Sequence, residues 1–118
     1  MKPQFESSRF FDRTLKRLSR KHRSLEADIE ALRVSLTANP QLGESLGNNC
    51  YKIRLAISSK GQGKRGGARV ITHVIVAIQP DNPTTIFLLA IYDKAELASL
   101  SREEIDALVA ELGGSGAA

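Results

Sequence analysis

Cys50-Tyr51-Lys52-Ile53-Arg54-Leu55-Ala56-Ile57 is the stretch on which the fold turns. Tyr51, Ile53, Leu55 and Ile57 alternate with Lys52, Arg54 and Ala56, the two-residue period of a half-buried strand. Lys52 and Arg54 then share the open face, roughly 7 Å apart along the strand. Ser58 to Gly67 holds four of the nine glycines and reads as irregular. Val70 to Ile78, rich in β-branched residues, predicts a central strand. Gln79-Pro80-Asp81-Asn82-Pro83 is a turn, and Thr85 to Tyr92 returns as another strand. Strands joined by a short turn pair antiparallel, which brings Arg69 close to Tyr92-Asp93-Lys94.

Upstream the period is helical. Phe11, Leu15 and Leu18 recur on one helix face, with Ser8 as N-cap and an end near Lys21 or His22. His22 is placed there to satisfy the last carbonyls. Leu25, Ile29, Leu32 and Leu36 repeat the pattern, with Ser24 as candidate cap and Asn39-Pro40 as stop. The short connection predicts a helical hairpin, followed by a loop from Gly43 to Asn49. Downstream, Ser101 and Glu104 have capping-box spacing, and Ile105, Leu108 and Leu112 supply an apolar helix face. The expected fold class is α+β: an antiparallel sheet with an N-terminal helical hairpin and a C-terminal helix. Residues 1–112 form one domain, and 113–118 a flexible Gly/Ser/Ala tail.

Composition narrows the function classes. A chain of 118 residues, 42% apolar and 25% charged, is that of one ordinary globular domain. No apolar run approaches the roughly 20 residues of a membrane span. An apolar leader core is absent from the N-terminal stretch, which predicts a cytoplasmic protein without a membrane partner. Cys50 stands alone, so no internal disulfide forms. One Cys and two His offer few zinc ligands, and neither metal nor cofactor is expected.

The net charge of +4 is segregated. Residues 9–23 carry Arg9, Arg13, Lys16, Arg17, Arg20, Lys21 and Arg23 against Asp12 alone. From Ser45 to Pro80 there is no acid, but Lys52, Arg54, Lys60, Lys64, Arg65 and Arg69 are present. Such a stretch suits a polyanion surface, since phosphate contacts need fixed positive charge. A solvated basic face without function is the alternative, above all for the N-terminal run. The loop Lys60-Gly61-Gln62-Gly63-Lys64-Arg65-Gly66-Gly67 is not a P-loop, because Lys64 is followed by Arg65 and a strand instead of Ser/Thr opening a helix.

Cations without paired carboxylates, metal ligands or a nucleophile triad fit one reaction, RNA transesterification, in which the 2′-hydroxyl is the internal nucleophile. Arginine grips the phosphorane with a planar fork. Lysine among other cations releases its proton more readily, and Tyr92 can donate a proton or stack on a base. The same basic sheet could bind nucleic acid and cut nothing. His73 reads as a packed or hydrogen-bonded histidine, Cys50 as a small apolar residue without a histidine beside it, and Phe5, Phe10, Phe11 and Phe87 as core.

Three segments in succession carry a resemblance: Cys50 to Leu55, Lys60 to Ile71, and Ile86-Phe87-Leu88-Leu89-Ala90-Ile91-Tyr92-Asp93-Lys94, preceded by Asn39-Pro40-Gln41-Leu42-Gly43. Together, from about Phe5 to Leu112, they resemble the RelE/ParE superfamily of type II toxins, closest to its HigB-like branch. The resemblance implies a RelE-like fold and a metal-independent toxin that cleaves mRNA in the ribosomal A site. It also implies a cognate antitoxin as partner. By position, Lys52, Arg54, Arg69 and Lys94 fall where RelE-like enzymes carry basic catalytic side chains. Arg69 would stabilise the scissile phosphate, Lys94 with Tyr92 nearby would serve the leaving oxygen, and Lys52 would accept the proton. Lys60, Lys64 and Arg65 would hold RNA. Arg54 stands where several relatives have Lys, Lys94 where RelE has Arg, and Leu97 or Leu100 where RelE has a tyrosine in the final helix. The superfamily also includes ParE-like inhibitors of DNA gyrase, so the fold admits a non-nuclease toxin or a non-catalytic RNA-binding module.

Overall fold

A computed structural model of the chain describes residues 2–61, 63, 66–76 and 81–116, with side chains described as far as Leu112 in the last helix. Lys64 and Arg65, the last two residues of the expected Val70 to Ile78 strand, and Gln79-Pro80 of the turn lie outside the described residues.

The elements run β1 (Gln4–Ser7), α1 (Arg9–Lys21), α2 (Leu25–Ala38), β2 (Glu44–Gly47), β3 (Cys50–Leu55), a 3₁₀ turn (Ser58–Lys60), β4 (Ala68–Ile75), β5 (Thr85–Asp93) and α3 (Arg102–Gly116). They form an α+β fold around one five-stranded sheet of order β1-β5-β4-β3-β2. Strands β3 to β5 pair antiparallel as expected, β2 adds a further antiparallel strand, and β1 adds a parallel edge to β5, so the sheet is mixed.

Ser8 is extended and its Oγ accepts the Phe11 N–H at 2.9 Å, the predicted cap. The same hydroxyl donates to the Leu89 carbonyl at 2.7 Å, tying the start of α1 to β5. Ser24 departs from its predicted role: it is itself helical and caps nothing with its side chain. Its hydroxyl donates to Asp28 Oδ2 at 2.8 Å and accepts the Ser59 N–H at 2.8 Å. Asp28 also receives the Ser58 N–H and hydroxyl. The serine is thus used to join α2 to the 3₁₀ turn. Burial pushes the Asp28 carboxyl up, but these hydrogen bonds outweigh it and hold its pKa below the ordinary value.

Two helix layers cover the sheet. Phe11 and Leu18 of α1 and Leu25, Ile29, Leu32 and Leu36 of α2 pack on Ile53, Leu55, Val70, Ile86, Leu88 and Ile91. On the opposite face Ile105 of α3 packs with Cys50, Ile71, Leu89, Ala90 and Tyr92. A bulge opposite Ile71 and Thr72 puts Leu89 and Ala90 together on the α3 side. Because β5 is covered on both faces, its apolar run is continuous where β3 alternates.

The C-terminal helix starts with the expected reciprocal box: Glu104 N–H donates to Ser101 Oγ and Ser101 N–H to Glu104 Oε1, both at 3.1 Å. It runs to Gly116, so residues 113–116 of the expected tail are helical. Their N–H groups pair with carbonyls of the preceding turn that would otherwise be orphaned.

The segment from Gly43 to Asn49 is not a plain loop. Glu44 pairs with Lys52 and Ser45 with Tyr51, and Asn48 and Asn49, at φ 52° and 58°, make the tight turn into β3. No helix among the described residues is long and apolar enough to cross a membrane.

Candidate nucleic-acid cleft

Residues directly opposite in a ladder point to the same face. Arg54 of β3 faces Arg69 of β4, and Arg69 faces Tyr92 of β5, so a transverse row of polar side chains crosses the sheet. Lys52, two residues before Arg54, shares its face. This is the α3 side of the sheet; α3 packs over Cys50, Ile71, Ala90 and Tyr92, while Arg54 at the far end of the row is exposed. A cleft of about 450 Å³ opens there, lined by Gly43, Glu44, Lys52, Arg54, Arg69, Lys94 and Ala98.

Four cations from three separate stretches of chain therefore meet in one concavity. Lys94 arrives by way of β5, and its N–H donates to the Gly67 carbonyl at 3.1 Å. On its other side Gly67 packs against the end of β3, where a Cβ would run into the Leu55 carbonyl oxygen. Arg69 is only 6% exposed, and its Nη1 donates to the Ala68 carbonyl at 3.1 Å, which fixes the guanidinium plane at the base of the cleft. Lys94 and Arg54 are exposed and Lys52 is half-buried.

Tyr92 is 4% exposed and is not among the lining residues. Its hydroxyl has no hydrogen-bond partner among the described residues. Burial raises its pKa, with the Arg69 charge opposing. The ring lies beside Arg69, its cross-strand partner, and belongs to the α3-side core.

Lys60 also lies apart from the cleft. Its Nζ donates to the Gly66 carbonyl at 3.1 Å and to Asp93 Oδ1 at 3.0 Å, closing the glycine loop on itself. Asp93, 2% exposed, further accepts the Ala95 N–H at 2.9 Å and sits 3.1 Å from His22 Nε2. Burial pushes this carboxyl up, but the Ala95 N–H, Lys60 and His22 together hold its pKa below the ordinary value. His22 thus reaches across to β5; the Leu18 carbonyl is satisfied by its backbone N–H instead. Of the other loop cations, Lys64 and Arg65 fall outside the described residues.

Cys50 has the histidine that local sequence did not suggest: His73, its cross-strand partner, brings Nδ1 to 3.4 Å from Sγ. Burial raises the thiol pKa and lowers that of the imidazole, so both neutral forms are favoured. The pair is packing under α3, away from the cleft.

Sequence reasoning missed Glu44. It lies just before the acid-free stretch, in a segment read as loop, and only the β2–β3 register carries it opposite Lys52. It is the one acidic lining residue among those described. No three His, Cys, Asp or Glu side chains among the described residues converge as a metal site.

Fold and cleft define an α+β domain that presents a concave, four-cation surface at the open end of a sheet. No protein-family model matches the chain.

Proposed function

We propose that this chain is the toxin of a type II toxin–antitoxin pair, a ribosome-dependent mRNA endonuclease that halts translation where ribosomes work, in the cytoplasm. The observation that carries the reading is the meeting of Lys52, Arg54, Arg69 and Lys94 in one cleft. A ribose-phosphate strand laid there meets fixed positive charge on both sides of the scissile group. The substrate brings its own nucleophile, the 2′-hydroxyl, so the protein has to orient it, neutralise the phosphorane and handle two protons.

Arg69, buried and oriented, is suited to the phosphorane oxygens. Lys94, at the exposed rim, delivers a proton to the leaving 5′-oxygen, and Arg54 and Lys52 hold the charge of the strand. Tyr92 flanks Arg69 on the same face of the sheet. The four cations do this work without a metal or other cofactor. The partner antitoxin covers this surface or keeps it off the ribosome.

The test is induction of the chain in cells with mapping of RNA ends. New 5′-hydroxyl ends inside translated messages, lost in Arg69→Ala and Lys94→Ala while ribosome binding persists, support the reading. Intact messages with unimpaired translation refute it. Inhibition of gyrase supercoiling by purified protein, with messages intact, would instead favour the ParE-like alternative.

A further inference from the structure

Glu44 stands in the cleft for no evident reason of binding. A carboxylate there repels the phosphate that the four cations attract. It is held in place by two backbone features. Gly43, at φ +107°, turns the chain where a Cβ would lie 2.6 Å from the Lys52 carbonyl oxygen. The Asn48–Asn49 turn then sets the register that puts Glu44 directly opposite Lys52. Its carboxylate is exposed and takes part in none of the ion pairs among the described residues. An uncommitted acceptor therefore lines the cleft from the β2 side, while Lys94 comes from the end of β5.

We infer that Glu44 is the base that takes the 2′-hydroxyl proton, an assignment that rests on the nuclease reading. Arg54 cannot accept a proton, and an ammonium such as that of Lys52 must shed one before it can. A carboxylate accepts directly. As the Glu44 carboxylate takes the proton, the 2′-oxygen forms a bond to phosphorus. The bond from phosphorus to the 5′-oxygen breaks, and Lys94 protonates that oxygen. The products are a 2′,3′-cyclic phosphate and a 5′-hydroxyl end. Glu44 then releases its proton to water and Lys94 regains one. Lys52, relieved of the base role, fixes the phosphate beside it.

The experiment compares wild type, Glu44→Gln, Glu44→Asp and Arg69→Ala on ribosomes programmed with a defined mRNA. Single-turnover cleavage is followed against pH, and binding of a short single-stranded RNA is measured by fluorescence anisotropy. Glu44→Gln is expected to slow cleavage by about 10²–10⁴-fold, with RNA binding unchanged or tighter because a negative charge has gone. Glu44→Asp recovers part of the rate. The residual rate of Glu44→Gln climbs steadily with pH as hydroxide substitutes for the lost base, whereas the wild-type rate levels off. A residue that only shaped the cleft would not separate rate from binding in this way. Glu44→Gln cleaving as fast as wild type, or faster through its stronger positive field, overturns the assignment while leaving the nuclease reading intact. A wild-type chain that cleaves nothing overturns both.

Discussion

Arg54 and Arg69 face each other directly across the β3–β4 ladder. Like charges in that relation destabilise a sheet by about 0.2–1 kcal/mol. Arg69→Ala is expected to lower single-turnover cleavage by about 10²–10³-fold, the usual loss on removing one donor to a developing oxyanion. Tyr92 is the next position in the same row. Its hydroxyl is buried without a partner among the described residues, so Tyr92→Phe removes a desolvated polar group. Thermal melting is expected to show unchanged or increased stability, by up to about 1 kcal/mol. A large fall in melting temperature would mean that the hydroxyl is satisfied after all. Pairing geometry made the neighbourhood of Arg69 and Lys94 legible, because a short turn forces antiparallel return. The burial of Tyr92 was not legible, since alternation alone does not say where α3 stops.

At the level of elements, the end of β5 is where the sheet, α1 and the glycine loop are joined. Asp93 collects Lys60, His22 and the Ala95 N–H within the core. Its folded pKa lies below the ordinary 3.8, so the stabilisation it supplies is present above that value and lost as pH falls through the lower, folded one. Asp28 and Glu96 act with the same sign, the latter because Arg17 and Lys21 bond to it. Urea unfolding followed against pH should therefore show stability falling below about pH 4, with a shallower fall in Asp93→Asn. At neutral pH that variant should lose about 1.5–3 kcal/mol, because the half-buried Lys60 ammonium loses its carboxylate. Gly67→Ala should also destabilise, because its Cβ runs into the Leu55 carbonyl oxygen and the backbone must part to admit it. The expected melt is lower by several degrees, with Lys94 displaced and cleavage reduced in parallel. Strands β1 and β2 escaped the sequence reading because four residues are too few to establish a period. The double-asparagine turn was the available signal for β2.

Across the whole molecule, the positive charge falls on two opposite faces. The α1 cations lie on the side of the sheet covered by α1 and α2, where Arg17 and Lys21 are tied to Glu96. The cleft lies on the α3 side. A short single strand in the cleft therefore senses four cations, not the whole basic complement. Its affinity should fall with a log–log salt slope of about −3, or about 50-fold between 50 and 200 mM salt. Lys52→Gln should make that slope shallower by about 0.7. Titration of a short RNA at several salt concentrations checks both values. A slope twice as steep would mean that the strand also reaches α1.

The amino-acid sequence alone determined the helix faces, the paired central strands, both serine-started helices with their apolar stripes, and the cationic character of the middle of the chain. These are local properties, written in spacing, turn residues and charge. Tertiary structure decided which cations meet. Lys60 turns inward to Asp93, Tyr92 goes under α3, and Glu44 enters the cleft. Each outcome depends on where one packed layer ends and on the register of a short edge strand, and those follow from contacts between residues tens of positions apart, which local patterning does not encode.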